Sequence, residues 1–329
     1  MSFDNIRLEK GLYSGAGFTE NLRNADPDSG YRGTNLEGLD AFQRQLKRFD
    51  IKVSGESGDR VEKFFRTSES SVLFPEFVSR CVRQGLEKAN ILPQIVATVT
   101  SIDSTDYRSI AAVTSAQDKS LKVVSEGAFI PETGISTKEN IISLQKRGRT
   151  LVASYEAIKY QRLDVFGVAL KQIGAMIGST LLSDAINVIV NGDGNANPAE
   201  VIGKGTFGYG SLVDFWNSFD PYEMNVLIAS PDMTAQILKL DQFSDAAAGL
   251  DFHATGKPVT PLGAKLFKSS AVSQGTVIGL DKNAALEMIK CGDVTTEYDK
   301  LIDRQLERTV ISCTAGFAKI FDDASKVLG

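Results

Sequence analysis

The stretch VFGVALKQIGAMIGSTLLSDAINVIV, Val165 to Val190, followed by Asn191-Gly192-Asp193-Gly194, decides how the rest of the chain is read. Val165, Phe166, Ala169, Ile173, Met176 and Ile177 fall on one arc at the helical period, and the stripe widens through Leu181, Ala185 and Val188. The spacing predicts a helix roughly 39 Å long, ended by glycines that accept the left-handed backbone conformation. Lys171, Gln172, Asp184 and Asn187 interrupt the apolar run where lipid would penalise them, so the helix reads as soluble and no membrane partner is expected.

Upstream of this helix, Ser109 to Val152 is polar, β-leaning and short of large apolar residues, with turn formers at Ser115 to Lys119 and Pro131 to Ser136. It reads as an extended hairpin that leaves the body. A two-stranded hairpin is marginal by itself in water, so this one is expected to lie on a neighbour. Phe129, Ile130, Ile141 and Leu144 are expected to supply the apolar contacts, and Lys138, Lys146, Arg147 and Arg149 to pair with acids across the boundary.

Further upstream, Phe77, Val78, Cys81, Val82 and Leu86 predict an amphipathic helix, with a β-rich run at Ile95 to Ile102. The residues before Leu73 are polar, rich in Gly, Ser, Asn and Asp, and lack a sustained apolar period, the pattern of an arm without a core. Within it Leu36, Leu39, Phe42, Leu46 and Phe49 mark one short amphipathic helix with nothing in the arm to bury it. Leu39, Phe42 and Leu46 are therefore expected at a subunit boundary.

Downstream, a Gly-rich connection at Gly203 to Gly210 leads to a buried strand at Asn225 to Ala229 and a helix opened by Ser230-Pro231-Asp232. Ser230 is expected to accept an N-terminal amide, while Pro231 and Asp232 suit the first turn. Strands at Thr276 to Leu280 and Ala285 to Ile289 are expected to complete an α/β unit, and Thr309 to Phe321 alternates as a returning strand.

The chemistry of an enzyme is missing from this pattern. The one histidine, His253, sits in a polar stretch, which excludes multi-histidine metal sites and leaves a catalytic triad little to recruit. Gly192-Asp193-Gly194 follows a helix where a dinucleotide fingerprint must follow a strand, and Gly203-Lys204-Gly205-Thr206 lacks the earlier glycine of a phosphate loop. Asp322-Asp323 reads as a solvated tail. No catalytic, cofactor-binding or metal-binding residue is assigned, and no cofactor is expected. Cys81, Cys291 and Cys313 are odd in number and far apart, fitting a reduced setting, and charged residues in Met1 to Lys10 replace the apolar run of a secretory signal. A net charge of -5 with interspersed signs excludes a dedicated nucleic-acid stripe.

The order arm, helix, long hairpin, long helix, inserted α/β unit and returning strand resembles the Hong Kong 97-like fold of tailed-bacteriophage major capsid proteins, shared with encapsulins. The residues that carry the resemblance are Ser125-Glu126-Gly127-Ala128-Phe129-Ile130-Pro131-Glu132, Val152-Ala153-Ser154-Tyr155-Glu156, Val190-Asn191-Gly192-Asp193-Gly194, Ile228-Ala229-Ser230-Pro231 and Gly256-Lys257-Pro258-Val259. The resemblance implies an α+β fold with an N-terminal arm (1–72), a peripheral domain (73–108, 153–199 with the spine helix, and 293–329), an extended loop (109–152) and an axial domain (200–292). It further implies a structural protein, not an enzyme, that self-assembles as hexamers and pentamers into an icosahedral shell around packaged double-stranded DNA held by non-specific contact. Portal and scaffolding functions are implied as partners, with assembly in the host bacterial cytoplasm and the virion capsid as destination. The alternative within this fold is an encapsulin shell around a cargo enzyme. Relatives that cross-link their shells carry a lysine just before the Pro-Glu pair of the hairpin; here that position is Ile130, which implies no cross-link at that site and leaves Lys119 and Lys122 as the alternatives to non-covalent cohesion.

Overall fold

The computed structural model of the chain describes residues 3–13, 17–104, 106–112, 123–130, 135–203, 205–244, 260 and 262–329. The chain opens with helices α1 (Phe18–Ala25), α2 (Ala41–Arg48), α3 (Ser68–Ser71) and α4 (Leu73–Ala89). Then come strands β1 (Thr98–Ser101), β2 (Asp106–Tyr107), β3 (Ile110–Ala112), β4 (Ile135–Thr137), β5 (Ile142–Ser143) and β6 (Gln145–Ser154), and helices α5 (Tyr155–Lys159) and α6 (Leu163–Asn191). The remainder mixes β7 (Glu200–Ile202), α7 (Tyr209–Asn217), β8 (Val226–Ala229), α8 (Pro231–Leu238), α9 (Asp241–Ser244), β9 (Lys265–Lys268) and β10 (Val277–Leu280). It closes with β11 (Leu286–Lys290), β12 (Thr295–Leu301), β13 (Leu306–Lys319) and β14 (Ser325–Leu328). The class is α+β. Two compact units form: one from Met1–Ala89, Arg147–Gly178 and Val294–Cys313, the other from Asn90–Lys146, Ser179–Asp293 and Thr314–Gly329. Helix α6 and strand β13 each contribute to both.

In the first unit the N-terminal residues have a core, contrary to the expectation of an uncored arm. Helix α2 starts where the Asp40 carboxylate accepts the Gln43 N–H at 2.8 Å and the Gln43 side chain accepts the Asp40 N–H at 2.9 Å, which satisfies two of the amides a helix start leaves open. Phe42 and Leu46 are only 4% and 7% exposed, and Leu8, Phe18, Leu22, Tyr31, Ile51, Val61 and Phe64 are buried as well. Arg44 is 0% exposed. Its guanidinium donates to the Asp26 carboxylate at 2.6 Å, to the Asp26 carbonyl at 2.7 Å and to Asp28 at 3.0 Å, and it lies 4.2 Å from the centre of the Tyr31 ring. The apolar residues are too scattered to show a period, and an ion pair sits among them, so the segment reads as polar although it folds.

Helix α4 spans the predicted amphipathic stretch and packs against α6 without an intervening layer of side chains. A Cβ on Gly85 would stand 1.9 Å from the Lys171 carbonyl oxygen, and one on Gly174 would stand 2.0 Å from the Val82 carbonyl oxygen. Only glycine permits that approach. Phe74 of α4 extends the contact by meeting the rings of Phe64, Phe166 and Tyr298 at 5.6, 6.0 and 5.8 Å. Strand β12 pairs antiparallel with β13 from Thr295 opposite Ser312 to Leu301 opposite Leu306, and β6 also pairs with β13.

The second unit holds the sheet β7-β14-β10-β8-β9. Strands β8 and β10 are buried throughout, as the apolar runs predict. Leu212 and Phe215 of α7 and Met233 and Ile237 of α8 form the core over Leu227, Ala229, Leu266 and Val277. Pro231 opens α8 as expected, but Ser230 does not cap it: the Ser230 hydroxyl donates to the Thr276 carbonyl at 3.3 Å, and Asp232 accepts the Gly275 N–H at 3.0 Å. Strand β11, expected beside β8 and β10, lies instead parallel to β1 and antiparallel to β13 in a different sheet. The place of β11 is filled by β14, which runs antiparallel to β10; the segment after Asp323 is thus a strand and not a free tail.

Candidate assembly interface: the hairpin and its root

Helix α6 covers 29 residues, about 43 Å at the usual rise, and ends at Gly192 with φ +89. A side chain there would meet the Asn197 side-chain oxygen at 2.8 Å, so the turn needs glycine for space as well as for conformation. The turn places Asp193, Asn195 and Asn197 where the hairpin begins.

The hairpin leaves through β2 and β3 and returns through β4 and β5, with Tyr107 opposite Ile142 and Ile110 opposite Thr137. Between these pairs the outgoing side has Arg108 and Ser109, whereas the returning side has Lys138, Glu139, Asn140 and Ile141. The return strand therefore bulges. The Lys138 N–H still donates to the Ser109 carbonyl at 2.8 Å, and its side chain is buried.

Lys138 Nζ donates to the Lys319 carbonyl at 2.8 Å and lies 3.4 Å from Asp193 Oδ2 and 3.5 Å from Asp322 Oδ1. Asp193 Oδ2 also accepts the Lys319 N–H at 2.9 Å, and its Oδ1 accepts the Asn195 side-chain amide at 2.9 Å. Asn197 accepts the Asp193 N–H at 3.0 Å and donates to Asp322 at 2.7 Å, while Lys319 Nζ donates to the Asn197 carbonyl at 3.0 Å. Asn140 of the bulge donates to the Gly194 carbonyl at 2.6 Å. Burial by itself would raise the Asp193 carboxyl, but the Asn195 and Lys319 donors and the Lys138 charge outweigh it and hold the group below the ordinary aspartate range. Burial pushes the Lys319 ammonium down against the attraction of Asp322 and Asp193.

The outgoing side is tied separately. Glu287 of β11 accepts the hydroxyls of Thr100, of Tyr107 at 2.9 Å and of Ser109 at 3.2 Å. Burial and the Glu287 carboxylate together raise the Tyr107 phenol. Leu144 is half-buried against Ile142, Ile289 and Ala318.

Beyond this root the described residues 123–130 are all exposed. Phe129 is 101% and Ile130 78% exposed, and Val123 and Ile141 are exposed too. Lys146 and Arg149 are exposed on β6, and Arg147 is half-buried. Leu39 is half-buried, while Phe42 and Leu46 are covered by their own chain and offer no apolar face to a neighbour. Lys138, expected across a boundary, is an internal residue instead. Sequence reasoning missed Asp193, Asn197, Lys319, Asp322 and Glu287; the Gly-Asp-Gly turn was the one signal pointing at them. Among the described residues no group of three His, Cys, Asp or Glu side chains could hold a metal ion. His253 and the loop Ala246 to Lys257 lie outside the described residues. None of the three cysteines forms a disulfide, and burial pushes the Cys81 thiol up to about 11.

The family model of the phage capsid protein matches residues 138–318, more than half of the chain. This chain belongs to the phage capsid protein family. As a capsid protein it is a structural protein of the virion shell, and copies of it assemble into capsids. The matched span begins at Lys138 and takes in Asp193, Asn197 and Glu287, whereas Thr100, Tyr107, Ser109, Lys319 and Asp322 of the root lie outside it. The fold is similar to that of a virus-like particle from Pyrococcus furiosus, at 15% identity and a TM-score of 0.53 over 77% of this chain and 98% of that one. It is similar also to the capsid of a native GTA particle, at 15% identity and a TM-score of 0.54 over 74% and 89% of the two chains. Microbacterium phage Oxtober96 gives 12% identity and a TM-score of 0.50 over 73% and 90%. No curated protein matches the sequence.

Proposed function

We propose that copies of this capsid protein form the pentamers and hexamers of a closed icosahedral shell around packaged double-stranded DNA, with no catalytic activity of their own. The observation that carries this reading is the hairpin: a root fixed by two buried polar clusters presents Phe129 and Ile130 almost wholly to solvent. Ordering a protrusion costs about 1–2 kcal/mol of backbone entropy per residue, and the uncovered Phe129 and Ile130 contribute no burial to offset it in an isolated subunit. A neighbouring subunit supplies the burial, and heterologous contacts repeated around a rotation axis close into rings. In this reading residues 109–152 are the extended loop, 200–292 the axial domain, and 1–72 a folded part of the peripheral body. DNA is held by diffuse contact, portal and scaffolding functions come from other chains, and assembly takes place in the host bacterial cytoplasm.

Hydrogen exchange on soluble subunits and on purified particles tests the proposal. Residues 123–130 should exchange fast in the subunit and become protected in the particle. Equal protection in both states would remove it. Particles filled with protein and free of DNA would select instead an encapsulin-type shell around a cargo enzyme.

A further inference from the structure

We infer that a groove in the first unit receives the hairpin tip of a second copy of the chain, with Phe129 and Ile130 as its apolar anchors. This rests on the self-assembly proposed above and supplies the surface that covers the hairpin. The groove has a volume of about 780 Å³ and is lined by Tyr13, Phe65, Val72, Pro75, Tyr298 and Ile302, all of which belong to the first unit. Pockets of about 300–1,000 Å³ with mostly apolar walls bury most of a compact guest. The walls are fixed before any partner arrives: Phe65 and Tyr298 both meet the ring of the buried Phe74, at 5.0 and 5.8 Å, and the Tyr13 hydroxyl donates to the Val72 carbonyl at 2.7 Å. A guest therefore finds little left to order. Ile302 lines the groove and is still 79% exposed, so apolar surface continues out of it to solvent, as at surfaces that take a partner.

The tip is the matching guest. It is uncovered in its own chain, where residues 123–130 are all exposed and Phe129 and Ile130 stand at 101% and 78%. An aromatic and a branched aliphatic side chain in succession suit a groove walled by three aromatic rings, and anchors of this kind seated in pockets dominate interface energies. Glu297 and Asp299 also line the groove, and Asp299 accepts from Arg308 at 2.6 Å. Carboxylates there disfavour phosphate, which argues against nucleic acid as the occupant. A tip seated in a groove joins unlike surfaces, the kind of contact that builds rings.

Photo-crosslinking locates the tip directly. Full-length chains carrying p-benzoylphenylalanine in place of Phe129 are assembled with isotope-labelled wild-type chains and irradiated, so that only contacts between copies give mixed adducts. These should fall on peptides holding Phe65–Pro75 and Thr296–Ile302; mixed adducts confined to other segments, the exposed face of α6 included, would overturn the inference. Phe129→Ser and Ile302→Asp should each lower particle yield about tenfold, the factor that accompanies one lost buried side chain, while circular dichroism of the soluble variants stays that of wild type. Normal yield from both would also overturn it. If the photoprobe itself blocks assembly, hydrogen exchange on wild type decides: amides 302–304 should exchange fast in the soluble subunit and become protected in the particle. Particles that protect residues 123–130 but leave 302–304 exchanging as before would remove the groove and keep the shell. If wild-type chains form no particles at all, the self-assembly reading itself falls.

Discussion

Lys138 and Lys319, 181 positions apart, meet where the side-chain ammonium of the first donates to the backbone carbonyl of the second at 2.8 Å, with the Asp193 carboxylate bonded to the N–H of the same Lys319. Two cations share one buried site because the site belongs to the turn after α6, which supplies the opposite charge and the amide oxygens. The root of the hairpin is held by this pairing.

Replacing Lys138 by Met should leave Asp193 with its amide donors but without its nearest cation. Breaking a buried pair from one side costs about 3–5 kcal/mol. Amide exchange at residues 135–143 should rise at least tenfold in the soluble subunit while that of β8 and β10 stays slow. Unchanged exchange would show that the bulge is held by its backbone alone.

The Asp193 carboxyl is held below the ordinary aspartate value of about 3.9 in the folded chain. Its contribution to stability is therefore complete above that value and is lost as pH falls through the lower, folded-state value. Asp193→Asn should be less stable than wild type at pH 7, with the gap narrowing below about pH 4. Denaturant midpoints at both pH values measure it; a gap of constant size would mean the carboxylate acts only as a hydrogen-bond acceptor.

Phe42→Ala should destabilise the isolated subunit by about 3–5 kcal/mol, the usual cost of emptying a buried aromatic site. A purely intersubunit role would instead spare the subunit and reduce assembly. Thermal melts of soluble protein distinguish the two.

Gly85→Ala should prevent folding of the first unit. Overpacking commonly costs about 1–3 kcal/mol where side chains can shift, but here the methyl would stand 1.9 Å from a backbone oxygen. Gly210→Ala, with open space around it, serves as the control and should be neutral or slightly stabilising. A soluble, normally melting Gly85→Ala subunit would contradict the close helix contact.

What could be read from sequence was what is local. The run from Val165 to Gly194 announced its helix and its end because apolar period and glycine turn lie in one stretch. Strands β8 and β10 announced themselves by unbroken apolar runs, but the sheet of β11 depends on β1 and β13, far away in sequence, and no local signal specifies that pairing. The N-terminal residues were misread because Arg44 and Asp26 occupy positions in their core where apolar residues are the rule. Lys138 was misread for the same reason: in a polar strand a lysine belongs outside, unless a register mismatch turns it inward. The exposure of Phe129 and Ile130 was legible because nothing around them in sequence could cover them.

Backbone resting on backbone at Gly85 and Gly174 leaves α4 and the first half of α6 no cushion of rotatable groups between them. Such a joint cannot slide by small steps as a layer of leucines would; it is a weld, and the two helices travel as a single beam. In the proposed shell, a subunit serving both five-fold and six-fold surroundings then has to take up the difference in angle somewhere other than along this beam.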